Sequence, residues 1–328
     1  MRLPPEAAFR AASTTVGTSR HTGAVTAIVG GLGAAILWAL ATLVSSRSSR
    51  LIGSRVVLAW VMIVGVAVGL PVGIVSGTPT DIPPGVPFLL LLAGLCYAAG
   101  LSVTYAALAI GKVGIVAPIV ATEGAVAALI AVVLGDPLGA SAGALLGVIA
   151  LGIVLSSLDR PGPTVPAGDI AIGVDDDRLV PARQPDESRA TRRAALLAVA
   201  AALIFGVGLV AGGKAAVLVP PIWVALAARL IGLIVVVLPL VLQRRLRLTR
   251  QTLPLVIVAG IGEIFGSAMS AWGATQSIAV AAVLGSQFAA IAAVAAYVFF
   301  HERLARIQVI GVILVVAGVS ALAAVTSA

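Results

Sequence analysis

Glu123, Arg229 and Glu263 are the three, among 21 Lys and Arg and 13 Asp and Glu, that fall well inside long apolar runs. Glu123 lies ten residues into the run 113–134 and Glu263 ten into 253–276, about 15 Å along a helix at 1.5 Å per residue. Arg229 lies nine into 220–242, or about 13.5 Å. All three therefore fall in one layer near the centre of a bilayer. A charge there costs at least about 2.5–3.5 kcal/mol on insertion scales, so a functional role is the default reading.

The bland alternative is an ion pair. Arg229 and Glu263, on consecutive runs, can neutralise each other and lock two helices together. That pairing does not absorb Glu123, because one guanidinium balances one carboxylate unless both share it. A carboxylate without a counter-charge can exchange a proton with water on either side. This suits proton-coupled antiport or capture of a cationic substrate. Glu123 is favoured as the titrating group and Glu263 as the partner of Arg229, with the reverse assignment left open.

Polar and aromatic side chains at similar depth are candidates to line the same site: Tyr97, Trp38, Thr104, Tyr105, Ser270 and Gln287. Each alone is more often a helix-packing residue than a ligand. Trp60 and Trp223 lie near run ends, where interfacial anchoring is the expected role. Pro118 is placed to bend the run that carries Glu123, and helix irregularity is tolerated where it lines a cavity.

The elements that must position these residues follow from composition. The chain has 328 residues, 60% hydrophobic and 10% charged, with a mean hydropathy of +1.15. Soluble domains carry about 25% charged residues. Ten runs reach the roughly 20 residues needed to cross a bilayer: 24–44, 56–77, 86–110, 113–134, 139–157, 194–213, 220–242, 253–276, 279–300 and 307–326. The expected fold class is an all-α polytopic membrane protein with ten transmembrane helices.

The chain also repeats itself. A shift of 166 residues lays Ala93-Gly94 on Ala259-Gly260, Gly100 on Gly266, Asp136 on Glu302, Leu138 on Leu304 and Gly152 on Gly318. It lays Tyr97 on Glu263, which predicts that the two face each other across a pseudo-two-fold axis. Trp38 falls one residue off register from Phe205. Five spans per copy force the second copy to enter inverted, an architecture common among secondary transporters with a midplane site. The expected organisation is a flexible N-terminal tail (1–23), a first repeat (24–157), a polar linker (158–193) and a second repeat (194–328). The linker holds Asp175-Asp176-Asp177-Arg178 and too little apolar surface to order itself. Gly208 with Gly212, Gly262 with Gly266, and Gly311 with Gly318 recur at one-face spacing and predict close helix packing.

The net charge of +8 reads as topology rather than nucleic-acid binding. Loops after the first, third, fifth, seventh and ninth runs hold 16 of the 21 Lys and Arg. The positive-inside rule then places the linker in the cytoplasm and both termini outside. No nucleic-acid motif, metal-ligand spacing, HExxH, GxSxG or P-loop is present. No catalytic activity, cofactor or metal is therefore expected. His21 and His301 lie at the tail and at a run end, and the single Cys96 is expected to be a packing residue.

Phe300-His301-Glu302-Arg303-Leu304, followed by Gly311 and Gly318, resembles the "GER-L…G…AG" ending of EamA-type modules of the drug/metabolite transporter superfamily. Gly135-Asp136-Pro137-Leu138 with Gly152 repeats it more weakly, and Ala35-Ile36-Leu37-Trp38-Ala39 is similar to that family's first helix. The likeness covers 24–326. It implies a ten-helix inverted-repeat carrier of small metabolites, amino acids or drugs, often an exporter. The chain departs from the pattern at His301, where glycine is usual, at Glu123, and in the orientation its arginines indicate. The expected function is secondary active transport across the cytoplasmic membrane by alternating access, by a monomer or homodimer, with a small-molecule substrate, protons as the candidate coupling ion and the lipid bilayer as its surroundings. A lipid-carrier flippase, a Mg²⁺ carrier and a non-transporting membrane subunit are the alternatives.

Overall fold

The computed structural model describes residues 5–110, 116, 119–136, 139–157, 185–291, 307, 310–311, 313–314, 317–318 and 321. Among these every regular element is helical. In hydrocarbon a spanning segment must satisfy its own backbone, and a helix does so without a partner. The helices are α1 (Pro5–Ile52), α2 (Ser54–Val75), α3 (Val86–Ile110), α4 (Glu123–Val133) and α5 (Ala140–Ser157). Then come α6 (Pro185–Ala216), α7 (Pro221–Gly232), a π-helical turn (Leu233–Val237), α8 (Leu238–Leu242), α9 (Leu253–Ala274) and α10 (Ile278–Gly285).

Six of the described helical segments are long and apolar enough to cross a membrane: Gly23–Ser49, Ser54–Val75, Val86–Thr104, Arg192–Ala216, Pro221–Leu242 and Leu253–Ala274. Glu123–Val133, Ala140–Gly152 and Ile278–Ile291 are shorter apolar helices. Two of the expected continuous spans are thus interrupted. In the run 113–134 a turn at Ala121–Thr122 precedes α4, and in 279–300 a turn at Ser286–Gln287 follows α10. At each break a hydroxyl bonds a carbonyl three residues back, Thr122 Oγ1 to Ile119 O at 2.7 Å and Ser286 Oγ to Val283 O at 2.9 Å. Such local bonds compete with the regular ladder. Pro118, expected to cause the bend, lies outside the described residues, as do Lys112 and most of the tenth run.

Residues 5–23 are helical and continuous with α1. The linker's end, from Pro185, is the first part of α6, where Asp186 and Glu187 suit a helix N-terminus. Residues 158–184 lie outside the described residues.

The helix pairings come in repeat-related sets. α1 packs along α9 and α3 along α6, while α2 meets α9 as α3 meets α7. α4 lies on α6 as α10 lies on α1; α2 with α7, and α4 with α10, pair across the middle. The contacts repeat at residue level. Gly100 faces the ring of Phe205 and Gly266 that of Trp38; Gly94 faces Ile231 and Gly260 faces Val64. A β-carbon on Gly262 would stand 2.9 Å from the carbonyl oxygen of Leu37. Small residues permit this approach, and dispersion then holds helices that lipid gives no hydrophobic reason to associate. Trp60 Nε1 donates to Arg247 O at 3.0 Å and Trp223 Nε1 to Gly77 O at 2.9 Å, so both tryptophans tie helices to loops of the other repeat.

Candidate functional site

A cavity of about 580 Å³ lies between the two sets of helices. Its walls follow from helical period. On α1 the stripe Trp38, Thr42, Ser45, Ser49 faces it, and on α9 the stripe Glu263, Ser267, Ser270, Ala274. On α3 the stripe is Ala93, Tyr97, Leu101, Thr104. Spacings of three and four residues keep each set on one helix face. Phe205, Gly208 and Gly212 of α6, with Val224 and Ala228 of α7, complete the sides. Glu123 and Phe288, each just past a helix break, enter the same space.

The two ends of the cavity differ. Thr42 is exposed and Ser45, Ser49 and Ser54 are half-buried, whereas Ala93, Gly212, Gly213, Val224, Ala271 and Ala274 are all buried. At the buried end a β-carbon on Gly213 would meet Ala274 and Ile278 within 3.1 Å. The cavity is therefore closed by helix packing at that end and reached from the serine end.

Arg229 is wholly buried and Glu263 is 20% exposed, with Nη2 3.4 Å from Oε2. The same Nη2 donates to the Glu263 carbonyl oxygen at 2.7 Å and to Ser267 Oγ at 2.9 Å. The guanidinium carbon stands 4.3 Å from the centroid of the Tyr97 ring, where a cation–π attraction operates. Tyr97 donates its hydroxyl hydrogen to Glu263 Oε2 at 2.5 Å. These two residues are separated by 166 positions, and the hydrogen bond crosses from one repeat to the other. Glu263 is thus held by a cation behind it and a phenol in front.

Glu123 is 7% exposed. Among the described residues its side chain has no hydrogen bond or ion pair. Helix α4 begins at Glu123, so the carboxylate stands at the positive end of a helix rather than within a continuous one. Its neighbour Gly124 lies against Ser286 and the Ala282 carbonyl, and this close approach leaves Glu123 as the residue that projects into the cavity.

Of the sequence candidates, Glu123, Glu263, Tyr97, Trp38, Thr104 and Ser270 line the cavity. Arg229 stands behind the lining. Gln287 is buried at the break beside Phe288, with Nε2 unpartnered. Tyr105 has its backbone in α3, and its side chain lies outside the described residues. Trp38 Nε1 and Thr104 Oγ1 are also buried and unpartnered. Sequence reasoning missed Thr42, Ser45, Ser49, Ser267 and Phe288 as lining residues. The hydroxyls had a signal, a polar stripe at helical period in apolar helices. Phe288 had none, since an aromatic in an apolar run carries no contrast. Among the described residues no group of three or more His, Cys, Asp or Glu could hold a metal ion.

The model of the EamA-like transporter family matches this chain twice, over residues 25–158 and 192–324. No curated protein matches it. A solved crystal structure of a protein 19% identical in sequence superposes with a TM-score of 0.68, covering 90% of this chain and 96% of the other. At that identity the likeness concerns the fold.

Proposed function

Because the chain belongs to the EamA-like transporter family, within the drug/metabolite transporter superfamily, we propose that this multi-pass membrane protein is a secondary carrier of a small molecule. The two family matches, each over a run of five apolar segments, support ten spans in two inverted repeats. In that arrangement the cavity lies on the repeat interface near the midplane, and rocking one bundle against the other gives alternating access. Lysine and arginine placement supports a cytoplasmic linker in the cell membrane. The serine end of the cavity then faces the cytoplasm, and the conformation is inward-open.

The observation that carries the reading is the unequal state of the two cavity carboxylates. Glu263 is fixed by Arg229 and Tyr97, whereas Glu123 has no fixed partner among the described residues and lines the cavity. Glu123 is accordingly the group that takes up and releases a proton as the cavity changes sides. Among the described residues, Glu263, the other carboxylate lining the cavity, is engaged by Arg229 and Tyr97.

Proteoliposome flux tests this, with amino acids, cationic drugs and Mg²⁺ as solutes, with and without an imposed pH gradient. Flux in the parent should respond to the gradient, and Glu123→Gln should lose that response. Gradient-independent flux in the parent, or a full response in Glu123→Gln, sinks the proton-coupled mechanism. Mg²⁺ as the transported solute would favour the cation-carrier alternative.

A further inference from the structure

We propose that the cavity selects an organic monocation with an apolar body, in preference to a zwitterionic amino acid or an anion. The inference rests on the carrier reading for its physiological sense, but its test is binding alone. It follows from which charges reach the cavity. Among the described lining residues the charged groups are Glu123 and Glu263, both acidic.

The nearby cation is unavailable to a substrate. Arg229 is wholly buried, and its Nη2 is taken by the Glu263 carbonyl, the Glu263 carboxylate and Ser267. Its Nε and Nη1 have no partner, yet neither is open to solvent. Gly65 closes over Nε: a β-carbon there would stand 3.3 Å from it. A substrate carboxylate therefore finds no free cation among the described lining residues and meets two acidic groups instead. Lys214 is exposed at the end of α6 and does not line the cavity.

The remaining walls suit a cation with an apolar body. Trp38 and Phe288 stand edge to face with centroids 6.4 Å apart, and Tyr97 and Phe205 likewise at 6.3 Å. Each pair takes one ring from each repeat. Aromatic faces attract a cation through their quadrupole, and Glu123 supplies the counter-charge once it has released its proton. A volume of about 580 Å³ is within the size range of small-molecule sites. An inorganic divalent ion would leave most of that space unfilled and, among the described residues, has no ligand cluster.

Three probes that share a phenethyl body isolate the charge: phenethylamine, phenylalanine and 3-phenylpropionate. Their binding to the full-length protein in lipid nanodiscs would be measured by calorimetry at neutral pH, where the amine is a cation. Phenethylamine should bind about tenfold or more tighter than either of the others. Glu123→Gln should weaken the amine by about tenfold or more, and Glu123→Asp, which keeps the charge, should restore most of it. Equal or tighter binding of phenylalanine or phenylpropionate, no binding of the amine, or amine binding unaltered in Glu123→Gln would each overturn the proposal. If Glu123→Gln does not fold, the parent's ranking of the three probes and the Glu123→Asp variant decide it. Amine binding without flux in proteoliposomes would leave this site standing and remove the carrier reading. Flux of phenylalanine with no amine binding would do the reverse.

Discussion

Arg229 and Met62 occupy equivalent places in the two repeats, 167 residues apart, and each packs on a glycine of the other repeat. Arg229 lies against Gly65 and Met62 against Gly232, glycines that are themselves 167 apart. The fold thus has a slot on either side of its axis that accepts a long unbranched side chain. One slot carries a charge, and Glu263 carries the opposite charge where the other repeat has Tyr97. Arg229→Met keeps the shape, as Met62 demonstrates, but strands Glu263. Breaking a buried pair from one side costs about 3–5 kcal/mol, whereas replacing both partners is often near neutral. Arg229→Met should therefore be destabilised by about that amount, and Arg229→Met with Glu263→Gln should recover most of it. Thermal unfolding of the four proteins in detergent measures this as a double-mutant cycle. Additive effects would contradict the pairing. The pairing itself was legible in the sequence, because depth along consecutive spans leaves an arginine few choices. The sealing of Arg229 from the cavity was not, since it depends on Gly65 and Ser267, neither of which draws notice in an apolar run.

At the scale of elements, hydropathy located the apolar runs but not their interruptions. A run of apolar residues reads the same whether its helix is continuous or broken by one hydroxyl bonded back to a carbonyl. The matched breaks at Thr122 and Ser286 are the case in point. The sequence had indicated Pro118, which lies outside the described residues. The acidic residue after the first repeat's fourth run was legible as a repeat feature, and the structure gives it a task. Gly135, at φ 96°, ends α4 in a turn in which Asp136 N–H reaches Ala131 O at 2.9 Å and Gly135 N–H reaches Val132 O at 3.0 Å. This closes the helix as a Schellman motif and turns the chain towards the second repeat. Asp136 Oδ2 then accepts from the Ala279 amide at 3.1 Å, while Ser277 Oγ accepts from Val280 at 3.3 Å. Two otherwise orphaned amides of α10 are satisfied, one of them across the repeat boundary. Asp136→Ala should cost about 1 kcal/mol, the usual worth of a helix cap. Faster hydrogen exchange at the amides of Ala279 and Val280, with α2 unaffected, is the expected signature. Unaltered exchange there would show that Ser277 caps α10 unaided.

For the whole molecule, the packing contacts repeat while the charges do not, and the consequence is a cavity with one closed end. The closed end joins α6, α9 and the start of α10 through Gly213, Ala274 and Ile278, next to the Asp136 cap. The open end carries Ser45, Ser49 and Ser54 beside Arg47 and Arg55. A carrier that rocks about its repeat axis must exchange these two states. Single cysteines in a Cys96→Ala background can report which end water reaches. Ser49→Cys should react with a membrane-impermeant maleimide when the reagent is on the linker side, and Ala274→Cys should resist it from both sides. Asp136→Ala, by loosening the α10 start from the first repeat, should lower the reactivity of Ser49→Cys and raise that of Ala274→Cys. Opposed changes at the two ends are required, because opening one face of such a bundle closes the other. If both positions gain reactivity together, the loosened protein has lost packing rather than changed sides, and alternating access about this axis is wrong. Reaction of Ser49→Cys in right-side-out vesicles, rather than inverted ones, would instead reverse the orientation drawn from the arginines while leaving the exchange intact.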